Sequence, residues 1–355
     1  MLATEELKRY SRQVILPEFG LSGQEKLKNA KVLMIGAGGL GCPVLQYLTA
    51  AGVGTIGIVD DDVVDLSNLH RQILYATADI GKLKAEVAGE KLKLLNPNTT
   101  IKVYPERITN DNAEHICKHF DLVIDGSDNF ETRYLVNDTC VEFDKPLVFG
   151  SIFKFEGHVS VFNYQGGPDY RDVFPDSPPA NEVPNCAEIG VLGVLPGIIG
   201  TYMANEAIKI ICGMGESLSG KLMTINALDN AIGIFKVAKG KKTGKSSDKP
   251  LTELTSAGHH EITKDELNSW LENDSDTICL VDVRETYEFE DYNIGGINIP
   301  LYELQGHIEE LPKNKKLVFC CQTGQRSKIA IQLLKPVFNG KMYNLKNGIY
   351  SDANL

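Results

Sequence analysis

Short apolar runs separated by stretches of helical periodicity recur along the first 150 residues. Runs at 32–35, 56–59, 101–104, 122–125 and 147–150 read as strands, and 42–51, 80–95, 111–119 and 130–143 as helices. The strands are mostly apolar, and their alternation with helices predicts an α/β fold, a mostly parallel sheet covered on both faces. Residues 1–30 look helical, and 157–163 alternate like a half-buried strand. A stretch rich in Pro, Asp, Gly and Asn at 166–185 predicts a long loop, a feature often tied to function. The apolar stretch 189–203 is broken by Gly193, Pro196, Gly197 and Gly200. It is shorter than the ~20 residues of a membrane span and reads as a buried helix.

From Val237 to Ser256 the chain is almost free of apolar residues before Leu251, as a linker is. Strand–helix alternation then resumes, with strands at 278–281, 316–320 and 342–345 and helices at 264–272, 303–310 and 327–335. The division expected is a first domain over 1–237, a linker over 238–256 and a small α/β domain over 257–355.

A length of 355 residues suits two domains. A net charge of −11 argues against nucleic acid as a main partner. Nothing at the N-terminus resembles a signal peptide, so no membrane or export is expected. The eight cysteines are scattered without a C-x-x-C pair, which leaves neither a disulfide framework nor a zinc knuckle. The chain reads as cytoplasmic, in a reducing compartment that keeps thiols available.

The first stretch with chemistry is Gly36-Ala37-Gly38-Gly39-Leu40-Gly41, between the strand 32–35 and the helix from Cys42. Glycines let backbone approach a ligand closely, and a helix start offers unpaired N–H groups to phosphate oxygens. The unit is Rossmann-like, and its spacing fits G-x-G-x-x-G, which specifies a nucleotide without saying which. Asp60, ending the next strand, suits ribose hydroxyls. The following residues tip the balance from a nicotinamide dinucleotide to ATP. Ser67, Asn68, Arg71 and Lys84 come soon after, then Asp128 and Asn129 behind the strand 122–125. Arginine and lysine suit a triphosphate, and an aspartate at a strand end suits Mg2+.

The second stretch is Cys321-Gln322-Thr323-Gly324-Gln325-Arg326, following a strand and opening a helix. Inward-pointing N–H groups and the helix dipole at such a turn stabilise a thiolate or persulfide anion, and Arg326 adds positive charge. Cys320 stands six residues before Arg326, the spacing of phosphatase loops, but would lie within the strand. Cys321 is therefore the expected nucleophile.

Residues 5–237 resemble the MoeB/ThiF family, the bacterial relatives of ubiquitin-activating enzymes. The matching stretches are Arg9–Gln13, Gly36–Cys42, Ser67–Gln72, Lys84, Asp128-Asn129 and Asn185–Val191. Residues 260–350 resemble a rhodanese through 280–285, Ile294–Pro300 and the Cys321 loop, with Asn293 where that family usually has His. The resemblance implies ATP-dependent adenylation of the C-terminal glycine of a ubiquitin-like sulfur carrier ending in Gly-Gly. Persulfide transfer from Cys321 would follow, with a cysteine desulfurase as donor, to give a thiocarboxylate. The molybdopterin synthase small subunit is the first expected carrier; a thiamin or tRNA-thiolation carrier is the alternative.

In this resemblance Gly36, Gly38, Gly39, Gly41, Asp60, Ser67, Asn68 and Asn129 hold the nucleotide. Arg71 and Lys84 meet its phosphates, and Asp128 its Mg2+. Arg12 reaches the phosphates of a neighbouring subunit, implying a homodimer, and Cys186 marks a second thiol of acyl or disulfide intermediates. Many members carry two C-x-x-C pairs for a structural zinc. Here Asp169-Tyr170-Arg171-Asp172 replaces the first pair and 238–250 holds no cysteine, so no zinc is expected and packing must hold the loop. A nicotinamide oxidoreductase, a relative acting on tRNA bases and a non-catalytic scaffold are the rival readings.

Overall fold

The computed structural model describes residues 2–175, 190–240 and 260–349, apart from 285, 302, 305 and 336. They fall into two compact units.

In the first unit the strands are β1 (Lys31–Ile35), β2 (Thr55–Val59), β3 (Thr100–Tyr104) and β4 (Leu122–Asp125). They continue with β5 (Leu147–Phe153), β6 (Glu156–Phe162), β7 (Lys221–Asn226) and β8 (Ile232–Lys236). All eight form one sheet in the order β3-β2-β1-β4-β5-β6-β7-β8. The first five run parallel, and β6, β7 and β8 extend the sheet antiparallel. This is the Rossmann-like α/β sheet that the pattern predicts. The chain winds outward from β1 to β3 on one side and starts again at β4 on the other, which opens a crevice at the carboxyl ends of β1 and β4.

Burial explains the parallel part. Val32, Leu33, Met34, Val123 and Ile124 are fully enclosed, as strands covered on both faces must be. Each such side chain contributes about 1.5–3 kcal/mol through lost apolar surface. The helix Leu195–Cys212 packs against the helix Gly41–Ala51 and across β5 and β6.

Four elements depart from the pattern. The apolar stretch 189–203 supplies only the start of a helix that runs Leu195–Cys212, with Pro196 in its first turn. The helix expected from 80 begins at Lys84, because Gly81 takes φ +84° and Val63 bridges to Leu83. The helical N-terminal segment breaks into Thr4–Arg9, Ser11–Val14 and Gly20–Asn29. At 303–310, a helix was expected; among the described residues only the 3-10 turn Ile308–Glu310 forms, beyond Gly306.

The second unit holds β9 (His260–Ile262), β10 (Ile278–Asp282), β11 (Ile297–Asn298), β12 (Lys316–Cys320) and β13 (Met342–Leu345). These make an all-parallel sheet in the order β11-β10-β12-β13-β9 around a core of Leu280, Val318, Leu345 and Ile349. The helix Lys264–Asp274 opens on a capping box in which the Glu266 N–H donates to Thr263 Oγ1 at 3.2 Å. The helix Gln325–Leu334 packs against β12 and β13, and the short helix Thr286–Asp291 follows β10 in the chain.

Candidate functional sites

The first site lies where the sheet topology places a crevice. The turn after β1 is tight enough that a Cβ on Gly41 would stand 2.1 Å from the Gly36 carbonyl oxygen, so only glycine fits there. The helix it opens has no side-chain cap, which leaves its first N–H groups for a ligand. Asp60 follows β2. Its carboxylate accepts from the Ala37 N–H at 2.7 Å and from the Asp62 N–H at 2.9 Å, tying the glycine turn to the neighbouring strand. Burial raises the Asp60 pKa above the ordinary carboxylate value.

These groups border a cavity of about 400 Å³, lined by Gly36, Gly38, Gly39 and Asp60 together with Arg71, Lys84, Asp128 and Asn129. The structure thus brings together eight residues singled out in the sequence. Arg71 Nη1 donates to the Ser67 carbonyl at 3.0 Å. Lys84 is nearly enclosed, with Nζ 2.8 Å from Asp62 Oδ2. Asn129 also caps the helix Phe130–Glu142 by accepting from the Thr132 N–H at 2.9 Å, which fixes the loop that carries Asp128. Asp128 has neither a hydrogen bond nor an ion pair among the described residues. Asp60, Asp62 and Glu106 are already engaged, which leaves Asp61 and Asp128 as the cavity-wall carboxylates without a partner among the described residues, a donor set that suits a divalent cation.

Ser67, Asn68 and Gly41, three expected nucleotide contacts, do not line this cavity. Ser67 and Asn68 lie in a 3-10 turn outside the cavity wall, where Ser67 donates to Asp65 and its carbonyl holds Arg71. Gly41 shapes the turn without lining the cavity. Arg12, exposed in Ser11–Val14, does not line it either. Cys186 is outside the described residues.

Gln72, Ser127 and Arg133 line the cavity without having been singled out as nucleotide contacts. Gln72 Oε1 is a buried acceptor without a partner among the described residues. Arg133 donates to the Ser127 carbonyl at 3.1 Å with its guanidinium over Phe130 and Phe149. Asp125 is wholly buried below, and burial raises its pKa. Arg133 was visible in the sequence only as a polar position three residues into a helix.

The segment replacing the first zinc pair is held by packing where it is described. Tyr170 stacks edge-on to Tyr134 at 5.1 Å and to Phe162 at 5.8 Å. Arg171 makes a bidentate pair with Asp138, both bonds 2.7 Å.

In the second unit Cys320 closes β12 and Cys321 begins the turn, as expected. Burial drives the Cys320 thiol far above its ordinary pKa, next to the enclosed Arg284–Asp282 pair. Gly324 takes φ +84°, a conformation that favours glycine, and its N–H donates to Cys321 Sγ at 3.1 Å. Cys321 Sγ also lies 3.4 Å from Ser327 Oγ. Gln322 and Thr323 complete the loop, and Gln325 starts the helix. Arg326 corrects the sequence reading. It does not present free positive charge to the sulfur; Nη1 and Nη2 donate to Glu288 at 2.6 and 2.9 Å in a buried bidentate pair.

Known proteins show the same division of labour. Residues 10–247 match the ThiF family, and residues 263–354 a rhodanese-like domain. A probable adenylyltransferase/sulfurtransferase MoeZ of Mycobacterium tuberculosis is 41% identical over 375 residues, covering 99% of this chain and 94% of that protein. The sulfur carrier protein adenylyltransferase of Thermus thermophilus is 51% identical over 69% of this chain and 93% of its own length. The adenylyltransferase and sulfurtransferase MOCS3 of Drosophila yakuba is 40% identical over 95% of this chain and 80% of its own length. Among solved structures, E. coli MccB superposes with a TM-score of 0.60 at 23% identity, over 72% of this chain and 76% of that one, a likeness of fold.

Proposed function

This chain belongs to the ThiF family and continues into a rhodanese-like domain, and from that premise we propose how it works as an adenylyltransferase and sulfurtransferase. Its substrate is a ubiquitin-like sulfur carrier ending in Gly-Gly, the molybdopterin synthase small subunit being the carrier we assign. The observation that carries this reading is the convergence of the glycine turn, Asp60, Arg71, Lys84 and Asp128 on one cavity.

The carrier's terminal carboxylate oxygen attacks the α-phosphorus of ATP, and pyrophosphate leaves. Negative charge grows on the phosphate oxygens, where Arg71 and Lys84 are already fixed by the Ser67 carbonyl and by Asp62. Asp128 would hold a Mg2+ ion, which would supply further neutralisation of the phosphates. Asp60 holds the ribose, and Ile108 and Ile152 add apolar surface to the cavity wall.

A cysteine desulfurase leaves a persulfide on Cys321. Its terminal sulfur attacks the acyl carbon of the carrier adenylate, and AMP departs. A second thiol, assigned to Cys186, attacks the inner sulfur. It releases the thiocarboxylate and leaves a disulfide for a cellular dithiol to reduce. Joining both activities in one chain raises the local concentration of sulfur donor over acceptor. We also propose a homodimer in which Arg12, exposed in Ser11–Val14, completes the partner's site. We assign the protein to the cytoplasm, where thiols stay reduced, and expect no zinc. No helix among the described residues is long and apolar enough to cross a membrane.

The test is thiocarboxylate formation, read by intact mass of the carrier. The wild-type chain with ATP and a persulfide donor replaces one carrier oxygen by sulfur, and Cys321→Ala does not. Undiminished thiocarboxylate from Cys321→Ala contradicts the route.

A further inference from the structure

Behind Cys321 runs a polar chain that the sulfur-transfer reading leaves unused. Cys321 Sγ is 3.4 Å from Ser327 Oγ, and Ser327 Oγ is 2.7 Å from Asn344 Oδ1 on β13. Asn344 Nδ2 donates in turn to Glu261 Oε1 at 3.3 Å, and Glu261 pairs with Lys328 at 3.0 Å. Ser327 and Asn344 are both fully enclosed, so water does not compete for these bonds.

The direction of the chain follows from donor chemistry. An ionised Glu261 can only accept, so it takes the amide –NH2 of Asn344 and turns the amide oxygen to Ser327. That oxygen also only accepts. The single hydroxyl proton of Ser327 is therefore committed to Asn344, and Ser327 shows Cys321 a lone pair. A thiol S–H is a suitable partner for a lone pair; a thiolate is not. The Gly324 N–H is then the one hydrogen-bond donor that the described residues give the sulfur.

We propose that Asn344, oriented by Glu261, is a positioning residue that sets the direction of the Ser327 hydroxyl and so decides whether Cys321 meets a lone pair or a proton. The resting arrangement holds the thiol. Turning the amide over releases the Ser327 proton to the sulfur and favours the anionic forms. The proposal rests on Cys321 as the sulfur-bearing residue. The other charged groups around the loop, Arg326 with Glu288 and Arg284 with Asp282, are paired with each other.

The test uses the full chain with Asn344→Leu and Glu261→Gln, each alone and combined with Ser327→Ala. Each protein is treated with methyl methanethiosulfonate across a pH series, and modification of Cys321 is read peptide by peptide in a mass spectrometer. Asn344→Leu removes the acceptor of the Ser327 proton, and the pH midpoint for Cys321 falls by about one unit. Glu261→Gln lets the amide turn, and the midpoint falls by less. Neither shift survives in Ser327→Ala. Glu261 is partly exposed, so its variant reads the effect even where Asn344→Leu fails to fold. Unchanged midpoints in the folded variants, or shifts that persist in Ser327→Ala, overturn the proposal. A chain that shows the shifts yet forms no thiocarboxylate contradicts the functional reading alone.

Discussion

Arg326 and Glu288 face each other as a buried bidentate pair, with donor–acceptor distances of 2.6 and 2.9 Å. The arginine at the end of the sulfur loop therefore fastens the helix Gln325–Leu334 to the helix Thr286–Asp291. Removing one partner strands a charge in low dielectric. Glu288→Ala is expected to cost the second unit about 3–5 kcal/mol, measured by denaturant unfolding of the full chain. A loss below 1 kcal/mol would mean that the pair is solvated.

Lys84 and Asp62 make the matching prediction for the first site. Lys84→Ala deletes a fixed positive charge at the phosphates and is expected to lower adenylation about 100-fold. Asp62→Asn keeps the lysine but frees it to move, and the loss is smaller and weighted to KM. Steady-state kinetics on both variants checks the order.

Nucleotide affinity should depend on pH through Asp60. Its pKa is raised by burial, so it gains a proton at a higher pH than an exposed aspartate, whose pKa is about 3.9. Protonation removes the acceptor that ribose needs. Affinity then falls as pH drops through the raised value, with proton release on ATP binding in that window. Calorimetry should show this for the wild-type chain, and Asp60→Asn should bind weakly and lose the dependence.

The segment around Tyr170 is packed among aromatic rings. The purified chain is expected to carry no stoichiometric zinc by elemental analysis. Tyr170→Ala should destabilise the first unit by about 3 kcal/mol, because the ring is fully enclosed among Tyr134, Phe149 and Phe162.

What could be read without coordinates was what local structure determines. The glycine turn at Gly36, the strand-end Asp60 and the loop at Cys321 are each strand–turn–helix units, and their geometry follows from a few consecutive residues. Asp128 was legible for the same reason. Glu288 was not, because it lies 38 residues from Arg326 and meets it only once β10 and β12 pair. Gln72 and Arg133 join the cavity only when the strand order closes it. The strand β8 was missed because it is an edge strand whose Ile232 and Ile234 stay exposed, which blurs the alternation that burial would impose. The expected helix at 303–310 failed because apolar spacing around Leu304 and Leu311 reports burial as well as helicity.

Carrier-dependent exchange of pyrophosphate into ATP tests the central claim most directly. Purified protein would be mixed with each Gly-Gly-ending carrier of the same genome, one at a time. Exchange that requires the carrier's terminal glycine, favours the molybdopterin synthase small subunit and collapses in Lys84→Ala is the predicted result. Exchange with a thiamin or tRNA-thiolation carrier alone would keep the chemistry and replace the carrier. ATP binding without exchange on any carrier would contradict the account.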